Sequence, residues 1–250
     1  MTGAAIAASG LGKDFGPIRA LDRLDLEVGA GEFFGFLGPN GAGKTTTLHL
    51  LATLLTPTRG RAWVAGHDIA RASLEVRRDI GLVFQETTLD RDLTIEENLR
   101  FAARLWDLPR RRAEPRIDHL LGQWELGGRR RDPVRTLSGG MRRRVDIARG
   151  ILHEPRVLFL DEPTAGLDPR ARRALWDMIR ALRQASRLTV FLTTHYVEEA
   201  EPCDRVAVLD QGRLVALGSP DELKRAAGVA SLEDVFLART GHALAAASAA

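Results

Sequence analysis

The chain has 250 residues, of which 44% are apolar and one, Cys203, is a cysteine, and its formal net charge is +3. This apolar content supports one large domain or one domain with a subdomain, and a lone cysteine excludes a disulfide framework and fits a reducing compartment. No apolar run reaches the ~18 to 20 residues of a membrane span, and the N-terminus lacks the basic region and apolar core of a signal peptide, so we expect a soluble intracellular protein.

The first 35 residues alternate loosely between apolar and polar side chains, with glycine-containing turns at 16–17 and 29–31. This pattern predicts short β-strands. Phe15 is the one aromatic side chain ahead of residue 33. It has two interpretations, a core residue or a platform on which an adenine ring stacks, and the local sequence favours the core.

Residues 33–47 read FFGFLGPNGAGKTTT and contain the pattern G-x-x-x-x-G-K-[ST] from Gly38 to Thr45. The apolar run predicts a buried strand, and a helix is predicted from Lys44 to about residue 55. Glycines let backbone N–H groups turn inward and the helix N-terminus adds unpaired donors, so the loop can enclose a polyphosphate. Lys44 would hold the β- and γ-phosphates, and the Thr45 hydroxyl would ligate Mg²⁺. The alternative, a glycine-rich turn with no ligand, is disfavoured by the strand and helix on either side.

A segment that looks all-helical is inserted between two predicted strands. The predicted elements are a strand at 61–66, a helix at Ser73–Asp79, a strand at 80–84, and helices from Thr94 to about residue 107, at about 115–126 and at 142–152. A capping box at Thr94 marks the first of the later helices, and Gln85 ends the strand before them. We therefore predict a helical subdomain at about 87–152.

Arginines cluster at 110–112, 129–131 and 142–144. Such clusters occur on nucleic-acid-binding surfaces and also on solvated helix faces and loop ends. A similar number of acids offsets them here. We therefore favour solvated faces and predict no nucleic-acid partner.

Ser138, Gly139 and Gly140 come before the helix predicted at 142–152. A hydroxyl and two glycines at a helix N-terminus can form a second anion site. The same residues are common capping chemistry. Taken alone, this segment leaves both interpretations open.

An apolar strand at 157–160 ends in Asp161 and Glu162. Successive side chains of a strand point to opposite sides, so the two carboxylates can have different roles. Asp161 would face Mg²⁺ through its water shell, and Glu162 would act as general base or orient the attacking water. Two acids that merely end a strand are the alternative, which the phosphate loop upstream disfavours.

His195 follows a buried strand predicted at 188–192. Ligands bind at the carboxyl ends of strands in open α/β sheets, so a γ-phosphate contact is credible; a surface or structural histidine is the alternative. Asp168 is predicted to cap a helix that starts at Pro169. The remaining predictions are a hairpin at 205–217, a capped helix after Ser219, a helical turn at 231–237 and a low-complexity tail at 238–250.

Together these motifs resemble those of the ATP-binding subunits of ABC transporters. The matching segments are GPNGAGKTT as the Walker A loop, Gln85 as the Q-loop, LSGGM as the signature, VLFLDEP as the Walker B strand, GLDP as the D-loop and TTH as the switch histidine. Their order and spacing agree over about residues 11–237. The stretches LSGGMRRR, LTTHYVEEAE and SLEDVFL further resemble the drug-resistance branch typified by daunorubicin efflux ATPases.

The resemblance implies a phosphate-loop α/β fold with a mainly parallel RecA-like sheet, an N-terminal antiparallel β subdomain and the helical insertion, within one ATPase domain at 1–237. It implies ATP and Mg²⁺ as cofactors and an ATP-dependent dimer, with a homodimer favoured, in which two subunits face head to tail. Each ATP then lies between the Walker A loop of one subunit and the signature of the other. Ser138 and Gly140 would contact the γ-phosphate in trans, and Phe15 becomes the adenine platform. Met141 stands where the family more often has glutamine.

The resemblance also assigns roles to individual residues. The implied nucleotide-binding residues are Phe15, Gly38, Asn40, Gly41, Gly43, Lys44, Thr45, Thr46, Gln85, Ser138, Gly140 and Asp168. The implied metal ligands are Thr45, Gln85 and Asp161, and the implied catalytic residues are Lys44, Glu162 and His195.

A separate integral membrane permease is implied as a partner, docked near Gln85 and the helix that begins after Thr94. The chain would then lie on the inner face of the cell membrane and power export of a hydrophobic drug or a lipid-like molecule. One alternative is a soluble ATPase of the same superfamily that acts in DNA maintenance or translation. Another is a phosphate-loop kinase or a binding-only module. Soluble ATPases of this superfamily usually contain coiled coils or two cassettes. Phosphate-loop kinases and binding-only modules do not need the signature segment. We therefore favour the transporter.

Overall fold

The computed structural model describes residues 3–185, 187–242 and 244, which form two β-sheets flanked by helices. The strands are β1 (Ala4–Phe15), β2 (Ile18–Gly29), β3 (Phe33–Leu37), β4 (Arg59–Val64), β5 (His67–Asp68), β6 (Ile80–Val83), β7 (Val157–Asp161), β8 (Thr189–Thr194), β9 (Arg205–Asp210) and β10 (Arg213–Gly218). The helices are α1 (Lys44–Leu51), α2 (Ser73–Asp79), α3 (Ile95–Leu105), α4 (Arg110–Gln123), α5 (Gly139–Ile151), α6 (Pro169–Ala185), α7 (Val197–Ala200), α8 (Pro220–Ala227) and α9 (Leu232–Thr240). Among the described residues, none of these helices has the length and apolar character of a membrane-crossing segment.

The larger sheet has the strand order β10-β9-β3-β8-β7-β6, and all its pairings are parallel except that of β10 with β9. Every residue of β3 and β7 is buried. Strands covered on both faces need continuous apolar runs, which explains why these two segments lack the polar alternation of a half-exposed strand. The predicted α/β class with a mainly parallel sheet is confirmed.

Strand order brings the separate motifs to one edge of this sheet. The parallel strands β3, β8, β7 and β6 are consecutive neighbours, so their carboxyl ends lie side by side. Their last residues are Leu37, Thr194, Asp161 and Val83. Asp161 thus lies at the end of β7, and the phosphate loop, His195, Glu162 and Gln85 follow the four strand ends within two residues.

The smaller sheet is antiparallel, with the order β2-β1-β4-β5. It shares a buried apolar cluster with α1 and one face of the larger sheet, to which Leu11, Leu48 and Phe159 contribute. The sequence predicts short strands here, but β1 and β2 are each 12 residues long. Register shifts along their pairing let two long strands stay paired while they curve over the core.

The segment between β6 and β7 contains α3, α4 and α5, joined by the 3₁₀ turns Gly127–Arg129 and Val134–Thr136. The predicted capping box is present: the backbone N–H of Glu97 donates to Thr94 Oγ1 at 3.2 Å, and that of Thr94 donates to Glu97 Oε2 at 2.8 Å. Helix α4 begins at Arg110, earlier than predicted, because the carbonyl of Pro109 accepts the first helical hydrogen bonds. Pro115 lies inside the helix, where it removes one backbone donor.

Two helix ends differ from the sequence predictions. Helix α1 stops at Leu51 instead of about residue 55, because Thr53 adopts a φ of +62°, which no helix continues. Helix α9 reaches Thr240 and so enters the segment predicted as a tail at 238–250. Residues 243 and 245–250 of that prediction lie outside the described residues.

Candidate active site

The phosphate loop, residues 38–43 between β3 and α1, is shaped by close backbone approaches. A Cβ added at Gly38 would lie 2.3 Å from the carbonyl oxygen of Leu209 on β9, and one at Gly43 would lie 2.5 Å from that of Ala20 on β2. Gly43 also has a φ of +101°, in the left-handed region that favours glycine. The fold therefore requires glycine at both positions. Lys44 starts α1 directly behind the loop, so the first backbone N–H groups of the helix face it.

The side chain of Lys44 is 4% exposed, and its ammonium group has three oxygen neighbours. Nζ donates to the carbonyl oxygens of Gly38 at 2.9 Å and Pro39 at 3.1 Å. It lies 3.2 Å from Oε1 of Glu162. Burial lowers the pKa of Lys44, and the charge of Glu162 opposes that shift. One buried ion pair thus joins the phosphate loop to the acid pair.

Asp161 lies behind the loop, where two hydroxyls meet its carboxylate. Its Oδ1 accepts hydrogen bonds from Thr45 Oγ1 at 3.1 Å and from Thr193 Oγ1 at 2.5 Å. Hydroxyl and carboxylate oxygens suit Mg²⁺, which keeps several waters and shares its shell with substrate phosphates. In the described part of the chain no group of three or more His, Cys, Asp or Glu could hold a metal. The oxygens of Thr45 and Asp161 therefore fit a Mg²⁺ ion by their chemistry.

Glu162 has a backbone conformation that is rare for a non-glycine residue, with a φ of +42°. Its backbone N–H donates to the carbonyl and hydroxyl oxygens of Thr193, at 3.1 and 3.2 Å. Its Oε2 lies 3.1 Å from Nδ1 of His195, although the two atoms lack the alignment of a hydrogen bond. The carboxylate of Glu162 therefore stands between Lys44 on one side and His195 on the other.

An open pocket of about 340 Å³ is lined by nine of the predicted site residues, whereas Gly38 and Asp161 lie beside it without lining it. Its lining residues are Ala20, Asn40, Gly41, Gly43, Lys44, Thr45, Thr46, Gln85, Glu162 and His195. A larger cavity, of about 750 Å³, lies at the opposite edge of the sheet, at the amino ends of β7 and β8, and contains none of the predicted site residues. The candidate active site is therefore the smaller pocket.

Phe15 and Asp168 were predicted as nucleotide-binding residues and do not line this pocket. Phe15 ends β1 with 45% of its surface exposed, so the local expectation of a core residue is wrong. Lys13 Nζ lies 5.1 Å from the centre of its ring. Asp168 caps α6 as predicted, because its Oδ1 accepts from the backbone N–H groups of Arg170 and Ala171, both at 2.9 Å.

Ser138 and Gly140, at the start of α5, also lie outside the pocket. Ser138 is exposed, and its Oγ accepts a capping hydrogen bond from the backbone N–H of Met141 at 3.3 Å. Gly140 is buried against α6, where an added Cβ would lie 2.7 Å from that of Ala171. The signature segment is therefore an exposed helix N-terminus supported from behind by α6.

Arg143 is an unexpected buried residue of α5. The prediction of a solvated face for 142–144 is wrong for this side chain, which is 5% exposed. It donates to the carbonyl oxygens of Phe84 at 2.5 Å and Gln85 at 2.6 Å, and burial lowers its pKa. Arg149 similarly donates to the carbonyl oxygen of Thr88 at 2.8 Å. The signature helix thus holds the backbone of the segment that contains Gln85.

Sequence reasoning also passed over Thr193 and Glu199. Thr193 contacts both members of the acid pair, and Glu199 is a buried acid on α7 just past His195. For Thr193 a signal was available, since a polar residue at the end of a buried parallel strand lies at the ligand edge. For Glu199 no local pattern distinguishes it from its exposed neighbour Glu198.

A phosphate loop, an acid pair and a histidine at the carboxyl edge of a mainly parallel sheet define an ATPase of the phosphate-loop class. The sequence pattern of the family described as ABC transporter matches residues 21–165. The chain is 48% identical over 243 residues to the daunorubicin resistance ATP-binding protein DrrA3 of Streptomyces coeruleorubidus, covering 97% of this chain and 76% of that protein.

Solved structures agree with this match. The structure of an ATP-binding subunit of an ABC transporter aligns with a TM-score of 0.84 and 31% identity, covering 94% of this chain and 99% of that one. For cbiO1 from Clostridium perfringens, part of the ABC transporter complex cbiONQ, the TM-score is 0.82, the identity 28%, and the coverage 89% of this chain and 91% of that one. The chain belongs to the ABC transporter family as an ATP-binding subunit, a family that hydrolyses ATP to power transport. The predicted family and its drug-resistance branch are confirmed.

Proposed function

We propose that the chain hydrolyses MgATP in a head-to-tail dimer and drives export of a hydrophobic drug or a lipid-like molecule through a separate membrane permease. The observation that carries this proposal is the meeting of Lys44, Glu162 and His195 around one pocket, with the carboxylate between the ammonium group of Lys44 and the ring of His195. A phosphate-binding group, a base and a second polar contact are the parts that hydrolysis of a terminal phosphate needs.

The roles follow from the chemistry of each group. The loop N–H groups and Lys44 would bind the β- and γ-phosphates, as charge-assisted donors. Thr45 and, through water, Asp161 would hold Mg²⁺, with Gln85 as a further oxygen ligand; the bound cation would neutralise charge on the phosphate oxygens. The arrangement of Thr45 against Asp161 supports this assignment.

Glu162 is the residue that would act on water. A carboxylate beside the terminal phosphate can accept a proton from the attacking water or orient it. Oε1 of Glu162 faces Lys44 and Oε2 faces His195, so both side chains restrain the carboxylate. His195 would contact the γ-phosphate from the same edge of the sheet.

The exposed start of α5 supports the dimer. Ser138 presents its hydroxyl at a helix N-terminus, where unpaired backbone donors favour an anion. The pocket of its own chain does not include it. We therefore assign Ser138 and Gly140 to the γ-phosphate of a second copy, with Asp168 at the same interface and the exposed ring of Phe15 stacking on adenine.

An ATP-dependent dimer tests this arrangement. Glu162→Gln keeps the side-chain shape but removes its basicity, so the variant should bind MgATP without turnover and elute as a dimer in size-exclusion chromatography. Adding Ser138→Arg should return it to monomer, because bulk and a cation replace the trans phosphate contact. Ser231→Arg is the matched control, since Ser231 also caps a helix through its hydroxyl. A Glu162→Gln protein that stays monomeric at saturating MgATP would contradict the dimer.

The cargo and the permease are supported by the relatives. The first of them is a daunorubicin resistance protein, and a solved neighbour is part of a transporter complex. Gln85 is exposed at the pocket and leads into the segment before α3, so it can connect a docked permease with the nucleotide. The chain would then lie on the inner face of the membrane.

Co-expression with the protein encoded by the adjacent reading frame tests this partnership. The chain should move to the membrane fraction, and Gln85→Ala should reduce permease-stimulated ATPase activity much more than ATP affinity. Gln123→Ala, another exposed glutamine in the helical segment, should change neither. If the neighbour encodes no membrane protein and the chain stays soluble, the alternative of a soluble ATPase is supported instead.

A further inference from the structure

Glu199 is a buried carboxylate in the short helix α7, four residues beyond His195. Its side chain is 1% exposed. Oε1 accepts a hydrogen bond from the hydroxyl of Thr164, and Oε2 accepts one from the hydroxyl of Thr194 at 2.6 Å. Burial raises the pKa of this carboxyl, while the two hydroxyls and the charges of Arg172 and His195 oppose the shift. Burying a carboxylate costs free energy unless hydrogen-bond partners compensate. The partners of Glu199 therefore indicate its role.

The two threonines belong to the two segments that carry the proposed catalytic residues. Thr164 lies two residues after Glu162, inside a turn closed by a hydrogen bond from Ala165 N–H to the Glu162 carbonyl oxygen at 3.1 Å. Thr194 comes directly before His195. Its hydroxyl also accepts from the backbone N–H of Tyr196 at 2.9 Å, which fixes the turn that presents the histidine.

A carboxylate matches these partners better than any other side chain. Each threonine hydroxyl has one proton to donate, and both protons are directed at Glu199. An ionised carboxylate accepts at both oxygens and donates nowhere, whereas an amide offers only one acceptor. Glu199 therefore bridges two segments that lie about 30 residues apart along the chain and side by side in the sheet, where the backbone hydrogen bond from Glu162 to Thr193 also joins them.

We propose that Glu199 is a positioning residue that fixes Glu162 and His195 relative to each other across the nucleotide pocket. This inference rests on the proposed roles of those two residues. Glu162 has a φ of +42°, a conformation that persists only where its surroundings over-determine it. The hydrogen bond between Thr164 and Glu199 holds the backbone just after Glu162. The hydrogen bond between Thr194 and Glu199 holds the backbone just before His195.

The test compares Glu199→Met with Glu199→Gln. Methionine has a similar length but no acceptor for the two hydroxyls, so kcat for ATP should fall by about 100-fold, as expected for a misplaced catalytic group. The KM for ATP should change by less than about threefold, because Glu199 does not line the pocket that contains the phosphate loop. Glutamine keeps one acceptor and should restore most of the lost kcat. Glu198→Met, on the same helix but exposed, is the matched control and should leave kcat and KM unchanged.

A second set of variants keeps the inference testable if Glu199→Met fails to fold. Thr164→Val and Thr194→Val each remove one hydroxyl at nearly constant volume, and each should lower kcat without raising KM. Combined with Glu199→Gln, each valine substitution should lower kcat by a smaller factor than it does in the wild-type protein, because both act through the Glu199 carboxylate that this variant lacks. Folded valine variants with kcat equal to wild type would overturn the inference. So would a loss of kcat accompanied by an equal loss of ATP binding, which would indicate general structural damage.

The outcome for Glu162→Gln separates this inference from the proposed function. If Glu162→Gln abolishes turnover and the Glu199 and threonine variants do not affect kcat, the positioning role alone fails. If Glu162→Gln turns over ATP like wild type, the proposed function fails at Glu162 itself.

Discussion

The ion pair between Lys44 and Glu162 offers a test of the pocket that requires no nucleotide. In Lys44→Met the apolar stem remains and the charge is lost. Glu162, at 7% exposure, then loses its ammonium partner and keeps the ring of His195, with Nδ1 3.1 Å from its Oε2. The carbonyl oxygens of Gly38 and Pro39 lose their donor as well. We therefore expect a lower free energy of unfolding for this variant.

The distance between the two charges sets the size of the effect. At 3.2 Å and an effective dielectric constant of about 20, the attraction is about 5 kcal/mol. The cost of burying the ammonium group, which also lowers the pKa of Lys44, offsets part of this attraction. Removing one partner of a buried pair typically costs about 3–5 kcal/mol because the other charge stays buried. We expect about 3 kcal/mol for Lys44→Met, of which the double variant Lys44→Met/Glu162→Gln should recover about 2 kcal/mol.

Urea unfolding of the four proteins of this double-mutant cycle, followed by tryptophan fluorescence, measures the coupling directly. The exposed pair of Arg135 and Asp92, with Nη1 and Oδ1 3.1 Å apart, provides a matched control. Exposed pairs of this kind contribute little, so the control cycle should show no resolvable coupling. A coupling between Lys44 and Glu162 no larger than that of the control pair would refute the reasoning.

Two further variants test the loop and the sensitivity of the fold to acid. In Gly38→Ala the new methyl group meets the carbonyl oxygen of Leu209, which is backbone, so stability should fall by about 1–3 kcal/mol and ATP should bind more weakly; an unchanged Tm would contradict this. His153 stacks on Trp106 at 3.9 Å, and burial lowers its pKa. Below about pH 6.5 the imidazole of His153 therefore binds a proton in the unfolded chain but not in the folded chain. The free energy of unfolding should fall as the pH drops below this value. The loss of Tm between about pH 7.5 and about pH 5.5 should be smaller in His153→Gln, and equal losses would count against the role of this histidine.

Features that depend on a few adjacent residues could be predicted from the sequence. The phosphate loop, the acid pair and the capping box at Thr94 each need only a strand end or a helix start with fixed spacing, and all three appear where expected. The meeting of Glu162 and His195 was also foreseeable, because carboxyl ends of parallel strands share an edge.

Features that depend on the order of strands could not be predicted. Thr193 contacts Asp161 only because β8 lies beside β7, and Arg143 contacts the carbonyl of Phe84 from 59 residues away. The position of Thr193 at the end of a buried strand indicates the ligand edge but not its partner, and nothing near Arg143 in the sequence indicates its contact. The buried Arg143 also shows why a run of arginines does not by itself indicate a solvated face: the carbonyl oxygens it binds belong to another segment.

The position of β3 in the sheet has a consequence for how the protein is made. Both neighbours of β3 come from the last quarter of the chain, β8 at Thr189–Thr194 and β9 at Arg205–Asp210, and Gly38 rests on a carbonyl of β9. At about 5–20 residues per second, a ribosome needs roughly ten to thirty seconds after β3 to deliver β9. During that interval β3, an apolar strand, has neither of its neighbouring strands and can pair with other chains. The phosphate loop is thus among the first functional elements to be synthesised and among the last to reach its final shape.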